Sequence, residues 1–367
     1  MRLGPLWLSL VLAAGWWGAG CSSRVLAPPA QTGELIRRTF HSPALENNLL
    51  GDSADPEVHV YLPPSYARQP ERRFPVLYLL HGFLSSPSDS TTPGPGAPSV
   101  QEQMDTLVQQ GAIQEFIVVI PSGRNRYGGS FYMNSPVTGG WEDAIVKDLV
   151  AFVDSTYRTL ARAESRGIAG HSMGGFGALR LGMRHPDVFS AVYAMSPCCL
   201  APEEDLGVDS PAWARVTHFT ERAQLDQAKA QGGFYEQLIV AWLAAASPAP
   251  DRPPLYFQSP FQEQDGHLVP SEPAYGRWEQ TLVLPHVAEH REALLRLRAL
   301  AFDVGTQDKL THIPATVRKL DEELKRLGVP HRYEAYEGDH LNRINERTGT
   351  RVLPFFSHVL VGSSPKP

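Results

Sequence analysis

The sequence predicts an α/β protein with a mostly parallel central sheet and helices on both faces of that sheet. Three observations support this prediction. Short β-rich runs alternate with helical stretches along the chain, as in parallel α/β architectures. The runs 75–80 and 116–120 are continuously apolar, as expected of strands that are covered on both faces. Residues 166–184 join a short strand to a helix through a glycine-rich turn.

The composition is that of a globular protein, and it excludes several classes of function. The chain has 367 residues, of which 42% are hydrophobic and 20% charged, and its length permits one or two domains. The net charge is -6 and no long Lys/Arg cluster occurs, so no nucleic-acid partner is expected. The adjacent Cys198 and Cys199 resemble no metal site and are expected to be free thiols. No metal and no cofactor are implied.

Residues 1–21 are predicted to be an export signal and not part of the fold. Arg2 precedes an uncharged and mostly apolar stretch that ends in small residues. The stretch could also form one membrane-spanning helix. The segment ending at Cys21 resembles a bacterial lipobox, although Gly18 replaces the usual large aliphatic residue. We therefore expect a lipoprotein that is anchored to a membrane through Cys21, with ordinary secretion as the alternative, and a tether over residues 22–45.

The predicted domain spans residues 46–362, and its first strands are marked by their apolar patterns. Residues 57–62 alternate like a half-exposed strand and are followed by two prolines. The apolar runs 75–80 and 116–120 are the next strands. Ser99 and Glu102 form a capping-box pattern that opens a helix between these two runs.

The elements that follow continue the alternation on both sides of a long insertion. Before the insertion we predict a helix over 141–157, a strand over 166–169, a helix over 173–184 and a strand over 188–195. Residues 200–298 interrupt the pattern with helices around 211–230, 232–246 and 285–298. After it come strands at 300–304 and 331–336, and helices at 311–327 and 341–361. The simplest interpretation is one domain with a helical insertion at 200–298.

The segment 170–174, with the sequence GHSMG, is the strongest motif in the chain. It lies between a predicted strand and a predicted helix, which is the context of a nucleophile elbow. Such a turn strains the serine backbone, and the flanking glycines leave room for the neighbouring strand and helix. The following helix directs its free N–H groups toward a developing oxyanion. The motif predicts Ser172 as the nucleophile and an α/β-hydrolase fold.

A serine nucleophile needs a base and a carboxylate that orients the base. Of the histidines after Ser172, His340 follows a predicted strand closely and lies in a turn-like setting, so it is the predicted base. Asp308 follows the strand at 300–304 through a short loop and is the predicted acid. Asp303, at the end of that strand, is the main alternative.

The oxyanion hole is predicted to use two backbone N–H groups. Met173, the residue after the nucleophile, supplies one of them. Phe83 supplies the other from the turn after the strand at 75–80, where Gly82 lets the chain bend closely. His81 and His171 are expected to have hydrogen-bonding and packing roles. Possible pocket-lining residues near the site are Tyr132, Trp141 and Glu142, with a role in the core as the alternative.

These motifs resemble the putative-esterase family of α/β-hydrolases. That family includes S-formylglutathione hydrolases of the esterase D type, feruloyl and acetyl-xylan esterases, enterochelin-type esterases and the mycolyltransferases of the antigen 85 complex. The resemblance covers roughly residues 55–200 and 299–360. It implies that Ser172, Asp308 and His340 form the triad and that Phe83 and Met173 donate to the oxyanion. Residues 200–298 depart from the shorter members, so the substrate pocket is not predicted.

The function implied is that of a serine esterase, which hydrolyses a carboxylic ester through an acyl-enzyme and without a cofactor. Its partner would be a small-molecule, carbohydrate or lipid ester. An acyltransferase that passes the acyl group to a sugar or lipid alcohol would use the same triad. A peptidase on that triad and a non-catalytic binding protein on the hydrolase scaffold are the remaining alternatives.

Overall fold

The computed structural model describes residues 32–94 and 97–362, together with Met1 and Gly4. The predicted export signal and the predicted lipidation site, Cys21, lie outside the described part of the fold. Among the described residues, no helix combines the length and apolar character needed to cross a membrane.

The described residues contain a central sheet of eight strands. In chain order they are β1 Glu34–Thr39, β2 Glu57–Leu62, β3 Val76–Leu80, β4 Ile117–Pro121, β5 Arg166–His171, β6 Ala191–Met195, β7 Ala299–Gly305 and β8 Arg332–Tyr336. Their order across the sheet is β1-β2-β4-β3-β5-β6-β7-β8. β2 pairs antiparallel with β1 and β4, and the other neighbouring strands pair parallel.

Helices occur before, within and after the insertion. The first group is α1 Pro87–Thr91, α2 Val100–Gln109, α3, which runs through Trp141–Asp143, Ala144–Leu149 and Val150–Thr156, and α4 Met173–Arg184. The insertion contains α5 Pro211–Thr217, α6 Arg222–Ala230, α7 Phe234–Ala246, α8 Ala274–Glu279 and α9 Arg291–Arg296. The last group is α10 His312–Arg326 and α11, which runs through Ile344–Arg347, Thr348–Val352 and Leu353–Val359.

The core lies on both faces of the sheet, because successive side chains of a strand point to opposite faces. In β3, Tyr78 packs on one face in a cluster that includes α4 and the insertion, whereas Leu77 and Leu79 pack on the other face with α2 and α11. All five β3 residues are buried, which is why this run is apolar throughout.

Most predicted elements appear within a few residues of their expected bounds. The capping box of α2 is also present: the Ser99 hydroxyl accepts from the Glu102 N–H at 3.2 Å, and the Ser99 N–H donates to the Glu102 carboxylate at 2.8 Å. The prediction of a tether over residues 22–45 is wrong from residue 34 onward. Glu34–Thr39 instead forms β1, which pairs with β2 along all six residues and extends the sheet.

The insertion contains more than helices. The helix predicted over 211–230 is two helices, α5 and α6, and Phe261–Gln264 pairs antiparallel with His267–Pro270 as a hairpin. Three tryptophans hold these pieces together, since the ring centroids of Trp213 and Trp242 each lie within 5.5 Å of the Trp278 centroid. The insertion therefore has an aromatic core of its own that is continuous with the main core.

Candidate active site

Ser172 lies in the sharp turn between β5 and α4. Its backbone has φ 56° and ψ -116°, a combination that L-residues rarely adopt and that marks a strained position. Two glycines make the turn possible, since a Cβ at Gly170 would collide with the backbone of Gly174, and one at Gly174 with the carbonyl of Leu80. The turn is fixed by backbone hydrogen bonds, including one of 3.0 Å from the Ser172 N–H to the Met195 carbonyl.

Asp308 and His340 are joined by a hydrogen bond of 2.7 Å between Oδ2 of the aspartate and Nδ1 of the histidine. A carboxylate can only accept, so the bond holds the proton on Nδ1 and leaves Nε2 as the acceptor that a general base needs. The second carboxylate oxygen of Asp308 accepts from the Leu310 N–H at 2.9 Å. Asp308 is 5% exposed, so both its carboxylate oxygens are largely shielded from solvent.

Asp303, the alternative acid, has other partners. Its carboxylate accepts from Arg347 Nε at 2.7 Å and from the Tyr193 hydroxyl at 2.9 Å, and the side chain is fully buried. Burial raises the pKa of Asp303, and the Arg347 charge opposes that rise. Asp303 and Arg347 therefore form a buried ion pair that connects β7 to α11, whereas Asp308 is the aspartate that contacts His340.

His171 connects the elbow to the loop that carries His340. Its Nε2 donates to the His340 carbonyl at 2.8 Å, and the two ring centroids are 4.6 Å apart. Burial, together with the nearby charge of His340, lowers the pKa of His171 to about 3, so the ring is neutral at ordinary pH. The residue that precedes Ser172 thus holds the loop of the predicted base against the turn of the predicted nucleophile.

The turn after β3 approaches the elbow closely. A Cβ added to Gly82 would lie 3.4 Å from the Cβ of Ser172. His81 fixes this turn: its Nδ1 donates to the Gly82 carbonyl and its Nε2 accepts from the Gly123 N–H, each at 2.8 Å. Burial lowers the pKa of His81 to about 4, which keeps the ring in the neutral form that can make both bonds.

The two predicted oxyanion donors belong to segments that pack against one another. Phe83 follows the turn at Gly82, and Met173 is the first residue of α4. A Cβ at Gly129 would meet the side chains of both residues, so Phe83 and Met173 lie over the same glycine. The turn after β3 and the start of α4 are therefore packed together at Gly129.

The three predicted pocket residues lie in the protein interior instead. Tyr132 is fully buried, and its hydroxyl donates to the His81 carbonyl at 3.0 Å, so it supports the turn after β3 from behind. Trp141 is 2% exposed and donates from Nε1 to the Thr138 carbonyl at 2.8 Å. With this little exposed surface neither ring can line a pocket, and the alternative of a core role is the correct one.

Glu142 is the centre of a buried ion cluster between α3 and α4. Its carboxylate accepts from Arg180, from Arg184 Nε at 2.9 Å and from His185 Nε2 at 2.8 Å. Burial alone would raise the pKa of Glu142, but the His185 hydrogen bond and the two arginines hold it well below its usual range. Both carboxylate oxygens are occupied in this way, so Glu142 joins two helices and does not line a pocket.

One polar network beside the site was not predicted. Asp205, in the insertion, accepts at 2.8 Å from both the backbone N–H and Nδ1 of His312, and it also accepts from the Tyr235 hydroxyl. Burial opposes these hydrogen bonds, which together keep the pKa of Asp205 well below its usual range. The only sequence signal for this contact is the start of α10, whose free N–H groups require an acceptor. Asp205 thereby attaches the insertion to the segment that follows Asp308.

Known proteins resemble this chain in sequence. The family model described as "Putative esterase" matches residues 53–344. The chain is 30% identical over 150 residues to an endo-1,4-beta-xylanase/feruloyl esterase of Xylanibacter ruminicola, covering 40% of this chain and 20% of that protein. It is also 30% identical over 169 residues to an esterase of Mycobacterium tuberculosis, covering 44% and 33% respectively. The chain thus spans between a fifth and a third of the length of these relatives.

Solved structures share the fold over nearly the whole chain. A ferulic acid esterase superposes with a TM-score of 0.60 at 22% identity, covering 90% of this chain and 100% of that one. The S-formylglutathione hydrolase of Agrobacterium tumefaciens superposes with a TM-score of 0.59 at 15% identity, covering 92% and 99%. At these identities the comparison establishes the fold alone, and it confirms the predicted α/β-hydrolase architecture.

Proposed function

Because the chain belongs to the putative esterase family, we propose that it is a serine esterase in which Ser172 is the nucleophile, His340 the general base and Asp308 the residue that orients the base. The observation that carries this proposal is the 2.7 Å hydrogen bond between Asp308 and His340, on a loop that His171 holds against the elbow of Ser172. This arrangement orients an acceptor nitrogen on a loop that is held against the turn of a strained serine, and a base and a nucleophile of this kind support nucleophilic acyl transfer.

In the first step, the Ser172 hydroxyl oxygen bonds to the carbonyl carbon of the ester while His340 Nε2 takes the hydroxyl proton. The carbonyl oxygen becomes an oxyanion, which accepts hydrogen bonds from the N–H groups of Phe83 and Met173. Asp308 stabilises the imidazolium without taking its proton. The bond to the alcohol oxygen then breaks, and His340 gives its proton to that oxygen.

The second step regenerates the enzyme from the acyl-Ser172 ester. Water attacks the acyl carbon while His340 Nε2 accepts a proton from that water. The N–H groups of Phe83 and Met173 stabilise the second oxyanion. When the bond to Ser172 breaks, His340 returns the proton to the serine oxygen and the carboxylic acid is released. No redox step or additional reactant occurs in this cycle.

The test is the hydrolysis of p-nitrophenyl esters from acetate to octanoate, and of methyl ferulate, by the protein and by its Ser172→Ala variant. We expect the variant to lose on the order of 10³-fold or more in kcat, because the nucleophile is removed while binding and the oxyanion donors remain. Ser155→Ala, an exposed serine on α3, is the matched control and should keep full activity. Near-normal turnover in Ser172→Ala would contradict the assignment.

A fluorophosphonate probe supplies an independent measurement. The probe should label Ser172 in the wild-type protein and should leave the Ser172→Ala variant unlabelled. Asp308→Asn should also slow labelling, because the base is then no longer held in the required tautomer. Labelling without hydrolysis of any ester would favour transfer of the acyl group to an alcohol, which product analysis with an added sugar or lipid alcohol would detect.

A further inference from the structure

The proposed acid, Asp308, lies on a loop whose two sides are held by different parts of the chain. On the side toward β7, the Gln307 N–H donates to the Gly338 carbonyl at 2.9 Å, and a Cβ at Gly305 would collide with that same carbonyl. The loop after β8 therefore fixes this side through backbone contacts. The other side leads through residues 309–311 into α10.

The start of α10 obtains its hydrogen-bond acceptor from the insertion. The first N–H groups of a helix have no partner within the helix and need an acceptor from elsewhere. At α10 this acceptor is the carboxylate of Asp205, which accepts from the Thr311 N–H at 2.9 Å and from the His312 N–H at 2.8 Å. A side chain that is distant in sequence thus takes the place of a local N-cap.

Asp205 is itself held in one orientation. Its carboxylate also accepts from His312 Nδ1 at 2.8 Å and from the Tyr235 hydroxyl, in addition to the two backbone N–H groups. The His312 ring is fully buried, and the Tyr235 ring packs edge-on against it with ring centroids 6.2 Å apart. A carboxylate offers about four acceptor sites, so these hydrogen bonds occupy Asp205 completely and fix its position.

The carboxylates of Asp308 and Asp205 hold successive N–H groups of one short segment. Asp308 accepts from the Leu310 N–H at 2.9 Å. Asp205 accepts from the next two N–H groups along the chain, those of residues 311–312. The other oxygen of Asp308 accepts from His340 Nδ1. A displacement of this segment would therefore turn the Asp308 carboxylate relative to the ring of His340.

We propose, on the basis of the function proposed above, that Asp205 is a positioning residue for the esterase reaction. It holds the segment 310–312 in the place where Asp308 can orient His340, and it acts through Asp308 and not on the ester. A small misplacement of a catalytic group can cost about a hundredfold in rate, so the anchor of this segment affects turnover. The insertion thus contributes one side chain to the assembly of the active site.

The first experiment measures kcat and KM for p-nitrophenyl acetate in Asp205→Asn. The amide preserves the size of the side chain, but its NH2 group cannot accept from the donors that meet the carboxylate. We expect kcat to fall by about tenfold to a hundredfold, because Asp308 is then less well placed, and KM to stay near its wild-type value. Asp209→Asn, at an exposed aspartate of the insertion, is the matched control and should keep the wild-type kcat. A wild-type kcat in folded Asp205→Asn would overturn the proposal.

A double-mutant cycle separates positioning from a merely structural role. If Asp205 acts through Asp308, the change Asp205→Asn should lower kcat no further in a protein that already carries Asp308→Asn, because the carboxylate to be positioned is absent. The double variant should therefore have the kcat of Asp308→Asn alone. An equal fold loss of kcat in the wild-type and Asp308→Asn backgrounds would show that Asp205 acts independently of Asp308, and the proposal would be wrong.

Two further variants keep the test decisive if Asp205→Asn does not fold. Tyr235→Phe removes one donor from Asp205 but preserves the ring, so it should lower kcat in the same direction by a smaller factor. Glu236→Gln disrupts the ion pair of the buried Glu236 with Arg215 inside the insertion, so it should lower the unfolding temperature and leave kcat unchanged. A wild-type kcat in Tyr235→Phe, or a comparable loss of kcat in Glu236→Gln, would contradict a specific role of Asp205.

The two proposals can fail separately. If p-nitrophenyl acetate is hydrolysed in a Ser172-dependent way while Asp205→Asn keeps the wild-type kcat, the esterase proposal stands and the positioning proposal is wrong. If the wild-type protein neither hydrolyses p-nitrophenyl acetate nor is labelled at Ser172 by the fluorophosphonate, the esterase proposal is contradicted, and the positioning proposal is contradicted with it.

Discussion

At the scale of single residues, the two aspartates at the end of β7 have different partners. Asp303 lies within the strand, where its carboxylate meets Arg347 and Tyr193, and Asp308 lies beyond the strand, where it meets His340. Sequence spacing placed both near the carboxyl edge of the sheet and favoured Asp308. The spacing could not show where either side chain points, because that depends on the register of β7 against its neighbours.

The same substitution at these two positions should give opposite results. Asp308→Asn should lower kcat by about 10²- to 10⁴-fold, because the carboxylate that fixes the His340 tautomer is lost, and it should change stability little. Asp303→Asn should lower the free energy of unfolding by roughly 3 kcal/mol, since it leaves Arg347 buried without its main counter-charge. Urea denaturation and ester hydrolysis of both variants provide the measurement. Loss of activity in folded Asp303→Asn, with Asp308→Asn active, would reverse the assignment.

The buried histidines predict how stability depends on pH. The pKa is about 3 for His171 and about 4 for His81, whereas the unfolded chain protonates both near 6.5. The unfolded state therefore binds more protons below pH 6.5, and the free energy of unfolding should fall as the pH decreases from about 6.5 to 4. The slope is at most about 1.4 kcal/mol per pH unit for each ring.

Denaturation in urea at pH 7, 6 and 5 checks this expectation. His171→Gln removes one of the two titrating rings and should show a shallower decrease in the free energy of unfolding between pH 6.5 and 5. A free energy that stays constant over this range in the wild-type protein would mean that the two rings are not held neutral in the fold.

At the scale of secondary-structure elements, Glu142 shows how α3 is held against α4. Glu142→Gln should lower the free energy of unfolding by about 2–4 kcal/mol, because Arg180 is largely buried and would lose its counter-charge. The KM for p-nitrophenyl esters should not change, since the Glu142 carboxylate is occupied by Arg180, Arg184 and His185. Thermal denaturation and steady-state kinetics of this variant check both statements, and a raised KM at unchanged stability would restore the pocket-lining role.

The elements that the sequence predicted best are those with strong local patterns. β3 and β4 are apolar throughout, and the elbow is marked by glycines that its close contacts require. The hairpin in the insertion was missed, although the Asp265-Gly266 pair at its tip, with φ 53° and 77°, is a known hairpin signal. β1 was missed for another reason: its residues are mostly exposed, and only pairing with β2 makes it a strand.

The residues of the candidate site also fall into two groups, those with a local sequence signal and those joined only by long-range contacts. The proposed nucleophile, Ser172, could be selected from the GHSMG motif between a strand and a helix, and the proposed base, His340, from its position after a strand, because the carboxyl ends of parallel strands meet at one edge of a sheet. The network of Asp205, Tyr235 and His312 could not be selected, since it joins the insertion to α10 through contacts between residues that are far apart in sequence.

At the scale of the whole molecule, the sheet extends further toward the amino terminus than the sequence indicated. β1 covers the edge of β2 from Glu34 to Thr39, and just before it the Gly33 N–H donates to Asp105 at 2.7 Å. An uncovered strand edge presents free N–H and C=O groups that can pair with another chain.

Two truncations separate the role of β1 from that of the preceding residues. A chain that begins at residue 40 should unfold at a lower temperature and should aggregate more, because β2, whose residues after Glu57 are buried, then replaces the mostly exposed β1 as the edge strand of the sheet. A chain that begins at residue 32 keeps β1 and serves as the matched control. Thermal denaturation with light scattering compares the two, and identical curves would show that β1 contributes nothing to the stability of the sheet.

The position of the insertion also affects the order in which the site can assemble. Ser172 precedes residues 200–298, whereas Asp308 and His340 follow them on loops after the last two strands of the sheet. The elbow is a local structure, but its partners reach it only after the chain has closed a long loop and paired β7 with β6, which is entropically costly and slow. During refolding, helix content would return before the proposed triad is complete. Recovery of catalytic activity would thus mark the final stage of folding, when the strands on either side of the insertion have paired.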